Sequence, residues 1–246
     1  MSRTLVIGDI HGGYKALLQV MERAKVTLQD KLIFLGDYVD GWSESEKVVG
    51  YLLQLRETHT CIFLRGNHET LLVKWLQTGI ENKIWEGNGG NASMKSYALD
   101  NITQEKRDEH LVFFEDLLVD YHIDQDNRLF VHAGFTNPRG VKTEFFSEYL
   151  YWDRTLWEMV MAMDSSISEG DSRYPRRLLH HSEIFIGHTP VTNFGFKFPT
   201  NYANVWNIDT GAAFYGCISI LDVNTKEFWQ SDSVASLYPN EQGRNH

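Results

Sequence analysis

Cysteine is scarce in this chain: two residues in 246, Cys61 and Cys217, each inside an apolar run (CIFLRG and CISILDV). Both read as small buried hydrophobes, which leaves no disulfide framework and no thiolate metal site. Proline is sparse too, with five residues, and no repeat, low-complexity segment or Pro/Gly/Ser-rich linker divides the chain. One domain over 1–246 is therefore expected, since single α/β domains reach roughly 200–250 residues. No run of about 18 uncharged apolar residues suggests a membrane span. Ser2 and Arg3 lead straight into TLVIGDI, without the apolar segment and small-residue cleavage site of a secretory leader. The expectation is a soluble, cytoplasmic protein with no membrane partner. Positive charge is also short, 23 Lys and Arg against 33 Asp and Glu, for a formal net charge of −10. That excludes nonspecific nucleic-acid binding, which needs basic residues to neutralise phosphates, while leaving room for local positive charge to serve one small phosphate.

Hydrophobic residues make up 42% of the chain, enough for a substantial core. Strand-like runs occur at 4–10, 31–36, 61–65, 129–133, 183–187, 205–208, 217–223 and 226–230. Helical spacing marks 14–25 and 44–56, the latter with Ser43 and Ser45 as candidate N-caps. The block 70–120 reads as mainly helical, including Gln104 to Leu118, and the last fifty residues as nearly all β. Alternating β and α followed by paired strands predicts an α/β fold with helices outside two packed sheets.

The ends of the apolar strands carry the chemistry. LVIGDIHGG places Asp9 and His11 after the first strand, and LIFLGDYVDGW places Asp37 and Asp40 after the second. IFLRGNHE brings Asn67 and His68, LFVHAG ends on His132, and IFIGHTP ends on His188. Taken singly, each has a bland reading as a hydrogen-bonded histidine, a helix cap or an Asx-turn. Recurrence at five strand ends, in a chain of ten histidines, does not. In open α/β sheets the carboxyl ends of the strands form the ligand crevice. Imidazole nitrogen with carboxylate and amide oxygen suits divalent Mn, Fe or Zn. Six such groups exceed one tetrahedral site, and a shared carboxylate predicts two ions about 3.5–4 Å apart.

The ordered set Gly8-Asp9-Ile10-His11-Gly12, Gly36-Asp37-Tyr38-Val39-Asp40, Gly66-Asn67-His68-Glu69, His132-Ala133-Gly134 and Gly187-His188 resembles the phosphoprotein phosphatase family of metallophosphoesterases over roughly residues 4–222. Asn88-Gly89-Gly90 with Ser93, Ser96 and Tyr97, and Asn207-Ile208-Asp209-Thr210-Gly211, look like its bacterial branch. The resemblance implies a calcineurin-like β-sandwich of two mixed sheets flanked by helices, with two divalent ions, manganese before iron or zinc. Carried over by position, Asp9 and His11 would hold the first ion, Asp37 would bridge, and Asn67, His132 and His188 would hold the second. A hydroxide between the ions would attack phosphorus in line, His68 would protonate the leaving oxygen, and Asp40 would orient that imidazole.

Phosphate recognition departs from the family pattern, usually GDxxDRG, because Gly41 and Trp42 follow Asp40 here. The phosphate-clamping arginine is missing from that place. Arg154, in Tyr151-Trp152-Asp153-Arg154, and Arg65 are the candidates to contact substrate together with Asn67. Arg173, Arg176 and Arg177, in the 164–182 insertion, read as a solvated face. His180 and His181 precede a strand and so belong at the edge opposite the metal cluster. Trp42 either packs or offers its ring to a substrate. The expected substrate is a phosphomonoester, phosphoserine or phosphothreonine in a protein or a small phosphoester. The alternatives are a hydrolase of dinucleoside polyphosphates, of the symmetric diadenosine tetraphosphatase kind, and a silent phospho-binding module.

Overall fold

In β1 (Thr4–Ile7) and β2 (Lys31–Phe34) apolar residues occupy both parities, because both faces of their sheet are covered. Leu5, Ile7, Leu32 and Phe34 pack outward against helices, whereas Val6, Ile33 and Leu35 face a second sheet. The computed structural model describes residues 2–98 and 100–245. Its first sheet has the order β11-β10-β1-β2-β3-β4, with β3 at Thr60–Leu64, β4 at Leu118–Val119, β10 at Ser219–Asp222 and β11 at Phe228–Gln230. Strands β1 to β4 run parallel, and β10 and β11 are antiparallel additions.

The second sheet is ordered β5-β6-β7-β9-β8, comprising Tyr121–Ile123, Leu129–Val131, Ile184–Ile186, Val205–Asn207 and Thr200–Tyr202 for β5, β6, β7, β9 and β8. Strands β6, β7 and β9 are mutually parallel, so both sheets are mixed. Phe130 and Phe185 stack at 4.9 Å in the layer between the sheets, among Val6, Ile33, Leu64 and Ile208. Their neighbours Leu129, Val131, Ile184 and Ile186 face the other way, into a third core under helices α7 (Tyr149–Trp152) and α8 (Thr155–Ala162).

Helices α1 (Tyr14–Arg23), α2 (Ser45–Thr58) and α3 (Asn67–Thr78) connect the parallel strands of the first sheet. The block after them holds α4 (Lys83–Trp85), α5 (Asn91–Ser96) and α6 (Gln104–Val112), and α9 (Val234–Leu237) follows the last strand. The α/β two-sheet architecture expected from the sequence is thus present, and no helix of the described residues is long and apolar enough to cross a membrane.

Several local expectations need correction. The 104–118 helix ends at Val112, followed by one wide turn over Phe113–Leu117, and Leu118 then pairs with Phe63 as a strand. Its apolar residues satisfied helical spacing while serving a sheet edge. Strands β5 and β8 are short and polar and carry no apolar run to reveal them. Predicted strands overshoot at their carboxyl ends because the functional residues leave the sheet on left-handed backbone, with φ of 53°, 51°, 70° and 67° at His11, Asp37, Asp40 and His188. Neither Ser43 nor Ser45 caps α2: Ser43 donates to Glu241, and the Ser45 hydroxyl meets Ser93 and the Asp40 amide.

Candidate metal centre

Strands β1, β2 and β3 of one sheet and β6, β7 and β9 of the other direct their carboxyl ends to one edge of the sandwich. Asp9, His11, Asp37, Asp40, Asn67, His68, His132 and His188 all lie there, each at least nine-tenths buried. Two glycines permit the close approach. A Cβ on Gly187 would stand 2.2 Å from Asp9 Oδ1, and one on Gly66 would stand 2.3 Å from Asp37 Oδ1.

The histidine nitrogens are presorted for ligation. His132 Nδ1 lies 2.7 Å from the Leu35 carbonyl, and His11 Nδ1 lies 3.2 and 3.1 Å from the carbonyls of Val39 and Asp40. A carbonyl only accepts, so Nδ1 carries the hydrogen and Nε2 presents a lone pair. His132 Nε2 is then 3.4 Å from Asp37 Oδ1 and 3.3 Å from Asn67 Oδ1, while His11 Nε2 is 3.7 Å from Asp37 Oδ2 and 3.8 Å from Asp9 Oδ2. His188 Nε2 is buried with no hydrogen-bond partner. Asp37 belongs to two groups of metal-capable atoms, one with His132 and His188 and one with His11 and His68.

Electrostatics also favour a cation. Burial raises Asp9 to about 7 against the pull of His132, with the Asp37 charge adding to the rise, and burial beside Asp9 raises Asp209 to about 8. Burial lowers His11 to about 4 and His188 well below the usual range, so both are neutral donors at pH 7. Burial opposes the Asp37 charge, but His132, His68 and His11 hold it well below the usual carboxylate range. Burial works against protonation of His132, but the Asp37 carboxylate outweighs it and raises the ring to about 10, so at pH 7 Nε2 holds a proton that an arriving ion would displace to reach the lone pair. Crowded carboxylates and an unpartnered imidazole nitrogen fit divalent ions.

His68 is held differently. Its Nδ1 lies 2.6 Å from Asp40 Oδ2, which also accepts from Trp85 Nε1 at 2.5 Å, and its Nε2 lies 3.0 Å from an Arg244 guanidinium nitrogen. Burial works against protonation of His68, yet the Asp37 charge and the Asp40 bond raise its pKa. Although His68 is near enough to group with His11 and Asp37, both of its nitrogens are engaged, unlike Nε2 of His188.

A cavity of about 370 Å³ opens on these groups, walled by Leu71, Ile84, Trp85, Asn88, Trp152, Arg154 and Arg244. Arg154 precedes α8 and donates to Thr189 Oγ1 at 3.1 Å. Arg65 is not brought to the cavity. Its guanidinium is spent on Asp120 and on the carbonyls of Phe114 and Leu118, because β4 pairs beside it and needs tying down. Trp42 packs: it is fully buried, donates to the Ala212 carbonyl at 2.8 Å and stacks on Tyr238 at 5.4 Å. His180 and His181 bond the Pro138 carbonyl and Asn127, away from the cluster. Arg173 pairs with Asp171 at the surface, but Arg177 is half-buried and donates to the Phe135 carbonyl at 2.7 Å, so the basic cluster is not one solvated face.

Three groups were not assigned a role from sequence. Glu69 accepts from the amides of Gly66, Asp37 and Tyr38 and so fastens two ligand loops together; its place in GNHE was the available signal. Ser93, in the segment after Asn88-Gly89-Gly90, accepts from the Asp40 amide at 2.9 Å. Arg244, 176 positions from His68, had no signal in its local sequence.

A family model described as calcineurin-like phosphoesterase matches residues 2–215. The chain is 25% identical to a bis(5'-nucleosyl)-tetraphosphatase PrpE (asymmetrical) of Oceanobacillus iheyensis, over 95% of this chain and 92% of that one. It is also 25% identical to serine/threonine-protein phosphatase 1 of Salmonella typhimurium, over 87% and 89%. Among solved structures, a protein serine/threonine phosphatase from Saccharomyces cerevisiae with similarity to human phosphatase PP5 superposes with a TM-score of 0.62 at 15% identity, covering 100% of this chain and 84% of that one. A metallophosphoesterase from Sphaerobacter thermophilus gives 0.55 at 18% identity, covering 94% and 87%. With its strand-end Asp, Asn and His residues gathered at one edge and the family model spanning most of its length, the chain belongs to the calcineurin-like phosphoesterases.

Proposed function

We propose that the chain is a metal-dependent phosphatase of phosphomonoesters, of the serine/threonine protein phosphatase type, holding two divalent ions with manganese preferred over iron or zinc. The observation that carries this reading is the Asp37 carboxylate shared by two groups of donors, with the His68–Asp40 pair on the same cavity. Asp9 and His11 would hold one ion, Asp37 would bridge, and Asn67, His132 and His188 would hold the other. When bound, the ions supply charge stabilisation at the phosphoryl oxygens and lower the pKa of water from about 15.7 toward roughly 7. His68 gives its Nε2 proton to the leaving oxygen, and Asp40 fixes the ring through Nδ1. Trp85 locks the Asp40 carboxylate in turn. Arg154 grips phosphoryl oxygens, with Asn67 beside them.

A second reading, hydrolysis of dinucleoside polyphosphates, draws support from the near full-length similarity to the PrpE relative and from the Trp152 ring, 45% exposed at the cavity, as a platform for a base. Neither nucleic acid nor a membrane enters either reading. Turnover of a phosphoserine peptide, a chromogenic phosphomonoester and diadenosine tetraphosphate with Mn²⁺ separates them. Preferred turnover of the first two is expected, preference for the third establishes the second reading, and silence toward all three despite two bound metals overturns both in favour of a phospho-binding module.

A further inference from the structure

Among the residues walling the cavity are two arginines, Arg154, which immediately precedes α8, and Arg244. Arg244 belongs to the segment 239–245 that follows α9, and its bonds are those of a group awaiting a partner. One guanidinium nitrogen lies 3.0 Å from His68 Nε2 and the other 3.3 Å from Asn88 Oδ1, neither of them an anion, while Nε is buried with no partner among the described residues. The guanidinium also lies 5.3 Å from the Phe214 ring centroid, which holds its plane in place. Among the described residues no carboxylate pairs with it; a partly buried cation so placed is costly, and an incoming dianion would offset that cost.

We propose that Arg244 binds the substrate phosphoryl group, delivered to the cavity by a segment docked on Trp42. The inference rests on the reading of this cavity as a phosphoester site. One glycine clears a path for the side chain: a Cβ on Gly89 would stand 3.0 Å from Arg244 Cγ, whereas one on Gly41 would stand at an ordinary contact distance of 3.7 Å. The segment is pinned on both sides. Gly243, at φ +58°, lies so close to the Trp42 indole that a Cβ there would come within 2.6 Å of Cζ2. The Arg244 amide donates to the Ala213 carbonyl, and Glu241 accepts from the amide and hydroxyl of Ser43. Trp42, one of the two positions that depart from the family pattern, is therefore the one this segment docks on, and Gly41, the other, lies beside the arginine. The absent side chain at Gly89 leaves room for the arginine, and the Trp42 indole carries the backbone behind it. Arg244 covers His68 Nε2, the nitrogen that must face the leaving oxygen, so a bound phosphate would also draw the guanidinium off the acid.

The test combines binding of inorganic phosphate to the metal-loaded protein, measured by calorimetry, with steady-state kinetics and metal analysis. Arg244→Ala should retain both metals, weaken phosphate binding about ten-fold or more and lower kcat/KM about 100-fold. Arg244→Lys should recover part of each, and added guanidinium ion should restore activity to Arg244→Ala and not to the parent protein. Gly243→Val, which undocks the segment while leaving the guanidinium in the chain, should reproduce the loss. Phosphate affinity within two-fold of the parent in Arg244→Ala, or a faster rate in that variant, overturns the proposal; the latter would make Arg244 a blocking group. Arginine-dependent phosphate binding without turnover of any phosphoester would leave this inference standing and defeat the proposed function, so the two failures are distinguishable.

Discussion

His68 and the ligand histidines look alike in sequence and differ in what their nitrogens touch. In His11 and His132, backbone carbonyls take Nδ1 and Nε2 faces the carboxylate cluster; in His68 a carboxylate takes Nδ1, the arrangement the proposed acid role requires. His68→Asn should therefore lower kcat about 10²–10⁴-fold on phosphoserine. The loss should be smaller on an aryl phosphate, whose leaving group needs less protonation, and two metals should remain by elemental analysis. Equal losses on both substrates, or loss of metal, would remove His68 from the acid role. The residue scale was the most legible in sequence, because the donors stand at the ends of apolar runs, most of them beside a glycine. Arg244 was illegible there because its neighbours Gln242, Gly243 and Asn245 form no element, and only tertiary docking brings it to the cavity.

At the scale of elements, the first turn of α3 organises the loops after β2 and β3. Glu69 accepts three buried amides, from Gly66, Asp37 and Tyr38, at 2.9, 2.9 and 2.7 Å. Leaving buried donors unsatisfied costs about 1–3 kcal/mol each, so Glu69→Ala should destabilise the protein by about 3 kcal/mol or more, read from the urea midpoint. A change below about 1 kcal/mol would show that the loops hold without it. The parallel strands were legible because burial on both faces writes apolar residues at both parities. Strands β4, β5 and β8 were not, since short edge strands carry little of that signal.

At the scale of the whole molecule, stability should depend on pH through groups far from the cavity. Asp30, buried at the amino-terminal side of β2, accepts from the Arg3 amide and guanidinium and from Thr27, and the Arg3 bond is the largest influence holding its carboxyl well below the usual range. A depressed folded-state pKa stabilises above the unfolded value of 3.8, and the contribution is lost as pH falls toward the folded value. Asp30→Asn should cost about 1–2 kcal/mol at pH 7, allowing for solvent screening of the half-buried Arg3. The gap between parent and variant urea midpoints should narrow below about pH 4, and a gap independent of pH would assign the effect to something other than the carboxylate charge. The layered arrangement itself was readable from the order of strands and helices. The docking of segment 239–245 across the sandwich edge was not, because it depends on one indole and two absent side chains.

The division of donors between the sheets also sets an order of assembly. Asp9, His11, Asp37 and Asn67 are made early and belong to the first sheet, whereas His132 and His188 follow strands of the second. A nascent chain that has reached residue 120 holds Asp37 and His11 without His132 and His188, the imidazoles of the second group around that carboxylate. Because domains form as synthesis proceeds and metal affinity requires the ligands to be in place, ion capture is expected late, after the two sheets have closed on each other. The centre would then serve as a latch on a finished sandwich and would not act as the nucleus around which it folds.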